Sequence, residues 1–247
     1  MREEIILMAR YKSRKLTAKE YLDFSKKVLL ALRPIHPIFR NLCGWGTEAH
    51  HWHCFKHDLS DFDEIVLKQI DDKNRAFINE DKNDKNLCLN SYSYSTFSNS
   101  YSNTKEVIDG RVTISISDGK EKGLGFINIK FPQVNYPEFN DISFCKNLIE
   151  KCIELTHAEY AVILPNSLRE NVEKIEGKFW VGSFTYFSRN EIFNLLPKET
   201  NKEKLSKGTL FWLFNEKASV VDNNKIDEAI KIKENLEGRF SIIDILS

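Results

Sequence analysis

Four of the six histidines fall within eight residues of each other, in the stretch His50-His51-Trp52-His53-Cys54-Phe55-Lys56-His57-Asp58. Imidazole and thiolate are ligands for zinc and other borderline metals. On a helix, His53 and His57 would share a face, and His50 would sit one turn before Cys54. No second Cys/His cluster supplies the remaining ligands, although His36 and Cys43 are near in sequence. A Cys54–His57 nucleophilic pair is a further reading, but a lone Cys near a His is common by chance. The stretch is therefore read first as a structural or interface segment rich in His and Trp. No metal and no cofactor is expected.

Residues Asn90 to Asn103 are the most biased in the chain: Tyr92 and Tyr94 alternate with serines, then Phe97 and Tyr101 fall on the opposite parity. That switch implies a bulge or turn between them. Tyr supplies large rigid contact area at low entropic cost, and Ser supplies adaptable hydrogen bonds. The segment reads as a strand with half-buried tyrosines, or more sharply as a partner-binding face. Asp58, Asp61, Asp63, Glu64, Asp71 and Asp72 gather before and along one expected helix. Such a group is usually a solvated face; it would also suit a basic partner. Trp180, Phe184 and Tyr186, and Phe211 with Trp212, read as core.

The strong catalytic patterns are absent. There is no GxxxxGK[ST] loop, no GxGxxG after a strand, no GxSxG and no HExxH. Gly123-Leu124-Gly125 sits in an expected hairpin loop and reads as turn chemistry. Five cysteines without CxxC spacing, Cys43, Cys54, Cys88, Cys145 and Cys152, suit reduced thiols better than a disulfide framework. The chain is expected not to be an enzyme.

The elements that position these residues follow from periodicity. A strand is expected over 4–12. Thr17 with Glu20 makes a capping box for a helix through Tyr21, Phe24, Val28, Leu29 and Leu32, ended by Pro34. A short helix is expected over 35–42, and another from Ser60 toward Phe77. Residues 79–87 read as a polar loop. Strands follow at 87–94, 112–117 and 126–131, with a hairpin loop at Asp118-Gly119. Cys145, Leu148, Ile149 and Cys152 mark an amphipathic helix. A central strand is expected at 159–164, a long aromatic strand at 179–187 with Gly182 at a bulge, a short helix at 190–196, a last apolar strand at 209–214 and a charged helix at 226–236.

The 247 residues hold 36 basic and 36 acidic side chains, with 17 Phe, 8 Tyr and 4 Trp. Balanced charge speaks against nonspecific nucleic-acid binding and against a polybasic membrane binder. No apolar run is long enough to span a bilayer, and Ile5 to Ala9 is too short for a signal peptide. A cytoplasmic protein is expected. The fold class expected is α+β: a single domain over 1–247, with an antiparallel or mixed sheet packed by several helices.

Five features in order carry a family resemblance. They are an N-terminal strand and a helix ending in Leu32-Arg33-Pro34-Ile35-His36-Pro37-Ile38-Phe39, the Gly44-Trp45-Gly46 turn, a β-rich middle, a helix before Ala158-Glu159-Tyr160-Ala161-Val162, and Phe179-Trp180-Val181-Gly182-Ser183-Phe184-Thr185-Tyr186-Phe187. This order resembles the immunity protein 52 family of bacterial polymorphic-toxin and type VI secretion systems, over roughly residues 5–215. The resemblance implies a non-enzymatic inhibitor that binds a cognate toxin effector, often a nuclease, and occludes its active site. It supplies no catalytic residue. The contact residues expected from the chain itself are Trp52, Asp61, Asp63, Glu64, Tyr92, Tyr94 and Tyr101. Neither nucleic acid nor membrane is expected as a direct partner.

Overall fold

The computed structural model describes residues 3–45, 52–73, 77–78, 87–93, 95–213 and 221–239. In chain order the elements begin β1 (Ile5–Lys12), α1 (Ala18–Leu32), β2 (Cys43–Gly44), β3 (His53–Cys54), α2 (Phe62–Lys73), β4 (Phe77–Ile78) and β5 (Tyr92–Ser93). Next come β6 (Phe97–Ser102), β7 (Thr113–Asp118), β8 (Leu124–Lys130), α3 (Ile142–Thr156) and β9 (Tyr160–Pro165). The remainder are α4 (Asn166–Asn171), β10 (Phe184–Phe187), α5 (Ile192–Leu195), β11 (Asn201–Leu205), β12 (Gly208–Trp212) and α6 (Asn223–Leu236). The class is α+β, with antiparallel strand pairing and helices, as the periodicity implied. The chain forms two compact units: Met1–Tyr11 with Lys130–Ser247, and Lys12–Ile129.

In the first unit the strand order is β11-β12-β10-β9-β1. β9 is the apolar run Tyr160 to Pro165, buried at all six positions. Such a run suits a strand covered on both faces. It pairs antiparallel with β1 from Ile5↔Pro165 to Arg10↔Tyr160, and with β10 on its other edge. Cys145, Leu148, Ile149 and Cys152 form the buried stripe of α3, capped by the Asp141 side chain. A second core layer joins Val162, Leu164, Phe187 and Phe211 to Ile232 and Leu236 of α6.

The aromatic strand expected over 179–187 is only Phe184–Phe187. Gly182 explains the shortening. A Cβ there would strike the Ile163 carbonyl and the Val162 side chain, so the backbone crosses β9 too closely to pair earlier. The Gly182 amide donates to Thr185 Oγ1 at 2.9 Å, and Gly182 lies in irregular backbone before β10 rather than at a bulge within it. β11 and α4 were not expected. Asn201–Leu205 reads NKEKL, with no apolar alternation, because it is the last strand in the order and carries edge charges.

In the second unit the order is β8-β7-β6-β2-β3, with β4 and β5 as a separate pair. Thr17 caps α1 as expected: its Oγ1 accepts from the Glu20 amide at 3.3 Å, and Glu20 Oε2 accepts from the Thr17 amide at 2.8 Å. The helix expected over 35–42 is a single 3-10 turn at Pro37–Phe39, opened by His36, whose Nδ1 accepts from the Ile38 amide at 3.2 Å. Among the described residues of the strand expected over 87–94, only Tyr92–Ser93 is strand, since Cys88 to Ser91 close a turn of their own. The parity switch between Tyr92 and Phe97 is the break between β5 and β6.

One buried charge organises this unit. Asp118, at the end of β7, is fully buried. Its carboxylate accepts from Ser13 Oγ, the Arg14 and Gly119 amides, and the Arg14 guanidinium through Nε at 3.0 Å and Nη2 at 2.5 Å. A buried carboxylate persists only when its oxygens are satisfied in this way.

Candidate protein-binding face

β6 and β7 pair from Phe97↔Asp118 to Ser102↔Thr113. Alternation sends Phe97, Asn99 and Tyr101 to one side and Ser98 and Ser100 to the other. The first side is core. Tyr21 of α1 donates to the Ile116 carbonyl at 3.1 Å, and Asn99 Nδ2 donates to Gln69 of α2 at 3.0 Å. Phe55, Phe62 and Tyr101 pack ring on ring at 5.1 to 6.1 Å. Burial pushes the Tyr101 phenol well above its ordinary value, with Ser25 and Asn99 opposing the shift. Tyr101, expected as a contact residue, is 0% exposed and belongs to the core.

The other side is hydroxylated, half-exposed at Ser98, Ser100 and Ser115 and buried at Ser117. Ser100 and Ser115 face each other at 2.9 Å, and Thr96 and Ser117 do the same at 2.9 Å. At one end the Arg111 guanidinium donates through Nε to Thr113 Oγ1 at 3.2 Å and lies 4.4 Å over the Trp45 ring. Trp52 meets Trp45 edge-on at 5.3 Å. The Trp45 amide donates to the Ser100 carbonyl at 3.3 Å, which ties the aromatic pair to β6. Burial lowers the Arg111 pKa. The neighbouring loop presents Val107, 92% exposed, and Ile108, 51% exposed. Trp and Arg on a half-buried polar sheet face are the residue types that dominate binding hot spots.

Trp52 is held there by a feature the sequence reading missed. β2 pairs with β3 so that Cys43 stands opposite Cys54, and the two form a disulfide. The expectation of five reduced thiols is corrected to one bridge and three free cysteines, Cys88, Cys145 and Cys152. An odd count with irregular spacing hid a pair that strand register alone brings together. The bridge also removes Cys54 as a metal ligand or nucleophile. His53 and His57 do not share a helix face, because His53 lies in β3 and His57 in a turn. His50 and His51 lie outside the described residues, as does Tyr94.

The remaining expected contacts are placed as follows. Asp61 accepts from the Lys56 amide at 3.1 Å and meets His53 Nε2 at 3.2 Å. Burial pushes its carboxyl up, but the Lys56 amide and His53 outweigh this and leave it below its usual value. Asp63 takes Lys19 Nζ at 3.1 Å and lies 3.9 Å from Lys26 Nζ. Glu64 pairs with Lys68 one turn on, which lowers its pKa. Tyr92 sits in β5, with Lys15 Nζ 5.3 Å from its ring centre. The structure thus joins Trp52, Trp45 and Arg111. Arg111 and Trp45 had no local signal beyond the Gly/Trp turn; cross-strand register makes the site.

No protein-family model matches the chain, and no curated protein matches it. Among solved structures, a type VI secretion system (T6SS) protein of Pseudomonas aeruginosa is similar in fold. The TM-score is 0.54 at 11% identity, over 95% of this chain and 73% of the other. At that identity the likeness is one of fold. Among the described residues, no helix is long and apolar enough to cross a membrane.

Proposed function

We propose that the chain is a T6SS-associated immunity protein that binds a cognate toxin effector and occludes its active site, without catalysis of its own. The observation that carries the reading is the Trp45–Trp52–Arg111 cluster on a half-exposed Ser/Thr sheet face. Large rigid aromatics with one guanidinium, ringed by small hydroxyl residues, give affinity at low entropic cost. The fold likeness to a T6SS protein supports the same system, as does the element order resembling the immunity protein 52 family. His53, next to Trp52 in sequence, meets Asp61 at 3.2 Å, and that carboxylate would favour a basic patch on the toxin.

The test is a search of the reading frames beside its gene for a toxin-like protein, followed by co-expression with the candidate found. Co-purification and rescue of growth are expected. Trp52→Ala with Arg111→Ala should weaken binding about 100-fold or more while circular dichroism and the melting midpoint hold. An undiminished affinity in the folded double variant would remove this face from the interface. Failure of the unaltered protein to bind or to rescue would overturn the immunity reading itself.

A further inference from the structure

The two strands that seat the Trp45–Trp52 pair are held very differently. β2 is fixed from beneath: Cys43 and Gly44 pair with Ser102 and Tyr101 of β6, and a Cβ at Gly44 would strike Gln69 Oε1 and the Phe55 ring. β3 follows Trp52 directly, is two residues long and stands last in its strand order, with Gly44↔His53 and Cys43↔Cys54 as its register. Two residue pairs are too few to hold a register without further support. The Cys43–Cys54 bridge supplies it. Cys43 is 3% exposed, whereas Cys54 is exposed to solvent. We propose that this bridge is a thiol-reducible switch: a low-molecular-weight thiol opens it, and Trp52 and β3 then leave β2 while the chain from Phe55 onward stays in place.

The chain beyond Cys54 has anchors of its own. The Phe55 amide donates to the Leu42 carbonyl at 3.3 Å, and the Phe55 ring packs against Phe62 at 5.1 Å and Tyr101 at 6.1 Å. The Lys56 amide donates to Asp61 Oδ1 at 3.1 Å, the His57 carbonyl accepts from Arg33 Nη1 at 2.6 Å, and Leu59 is buried. Before Cys54, among the described residues, the contacts lie at the surface. Half-buried Trp52 meets Trp45 edge-on at 5.3 Å, and exposed His53 reaches Asp61 at 3.2 Å. Exposed pairs of the second kind contribute little. The bridge spans a sequence separation of 11, so its cleavage returns the conformational freedom of one short loop.

Exposed disulfides are the labile ones, and exchange starts at the accessible sulfur. A thiolate attacks Cys54 Sγ and forms a mixed disulfide; the bond to Cys43 breaks, and Cys43 leaves with the electron pair and takes a proton from water. A second thiolate attacks the small-molecule sulfur of the mixed disulfide and releases Cys54, which is protonated in turn. Two thiols are oxidised to one small disulfide, and the bridge gains two electrons and two protons. What the switch would control, a partner's access to a seated Trp52, rests on the function proposed above; the switch itself does not, and its test needs the chain alone.

The test equilibrates the full chain in glutathione buffers, from fully oxidised to the poise of a reducing cytosol. Alkylation after acid quench and unfolding scores the bridge, and amide hydrogen exchange scores the structure. In the reducing buffer Cys43 and Cys54 should both be labelled, and exchange at His53 should rise at least about tenfold. Exchange at Phe55 and Leu59, and along β6 and β7, should change by less than about twofold. Cys43→Ser with Cys54→Ser should reproduce the reduced pattern and ignore the buffer. A bridge that survives the reducing buffer, or unchanged exchange at His53 in the reduced chain, would overturn the proposal. Faster exchange throughout residues 12–129 would do so too, because the bridge would then be a general staple. None of these outcomes bears on toxin binding. Release of His53 as described, with equal toxin affinity of the oxidised and reduced chains, would uphold the switch and take Trp52 out of the interface.

Discussion

At the scale of single residues, the charges and hydroxyls that matter most are buried ones. Asp118 accepts five hydrogen bonds from Ser13, Arg14 and Gly119. Asp118→Ala strands those donors and is expected to destabilise the protein by about 3–5 kcal/mol, read from urea unfolding midpoints. Tyr101 separates a core role from a surface role. Among the described residues its hydroxyl makes no well-formed hydrogen bond, Ser25 and Asn99 acting on it only weakly, so Tyr101→Phe should change stability by less than about 1 kcal/mol. Tyr101→Ala removes a ring packed on Phe55 and Phe62 and should cost about 3–5 kcal/mol. The alternation of Tyr and Ser was plain in the sequence. Which tyrosine faced inward was not, because that depends on the break between β5 and β6 and on α2 covering β6. Asp118 had looked like ordinary hairpin chemistry, since its partners Ser13 and Arg14 lie more than 100 positions away.

At the scale of elements, local signals were reliable where they closed on themselves. The Thr17–Glu20 box needs only four consecutive residues, and it marks the start of α1 as expected. Thr17→Ala should cost about 1 kcal/mol in thermal or chemical unfolding. The apolar stripes of α3 and β9 were equally legible. Elements defined by a distant neighbour were not: β11 has no alternation of its own, β10 is cut short by the approach of Gly182 to β9, and the Cys43–Cys54 bridge exists only through the β2–β3 register. Alkylation of the denatured, unreduced protein should therefore label three cysteines, and five after reduction. In the native protein Cys145 and Cys152 should resist, because burial pushes both thiols up to about 12. The same trapping performed on cells reports compartment. Cytosolic reductants would keep Cys43 and Cys54 as thiols, whereas an oxidising compartment would keep the bridge and with it the seat of Trp52.

At the scale of the whole molecule, one unit draws on both sides of the other in sequence. β1 lies near the start of the chain, yet its partner β9 comes after the residue 12–129 unit is complete. Hydrogen exchange should find β9 among the slowest amides, and deletion of residues 3–12 should strip that protection by opening one edge of β9. Composition had indicated a folded, charge-neutral α+β chain, but nothing local in the sequence announced that residues 5 and 165 would be neighbours. The paired hydroxyls between β6 and β7 have a further consequence. In the Ser100–Ser115 pair either oxygen can act as donor, so the pair can reverse its polarity by rotating a hydrogen without moving a heavy atom, whereas Thr96 donates to the Asp118 carbonyl and is fixed as the acceptor from Ser117. A surface with reversible polarity can accept a changed contact opposite it while Ile114 and Ile116 stay fixed beneath. In the proposed immunity role such a face would let recognition drift through substitutions in the toxin, with the inward-facing side of the sheet left untouched.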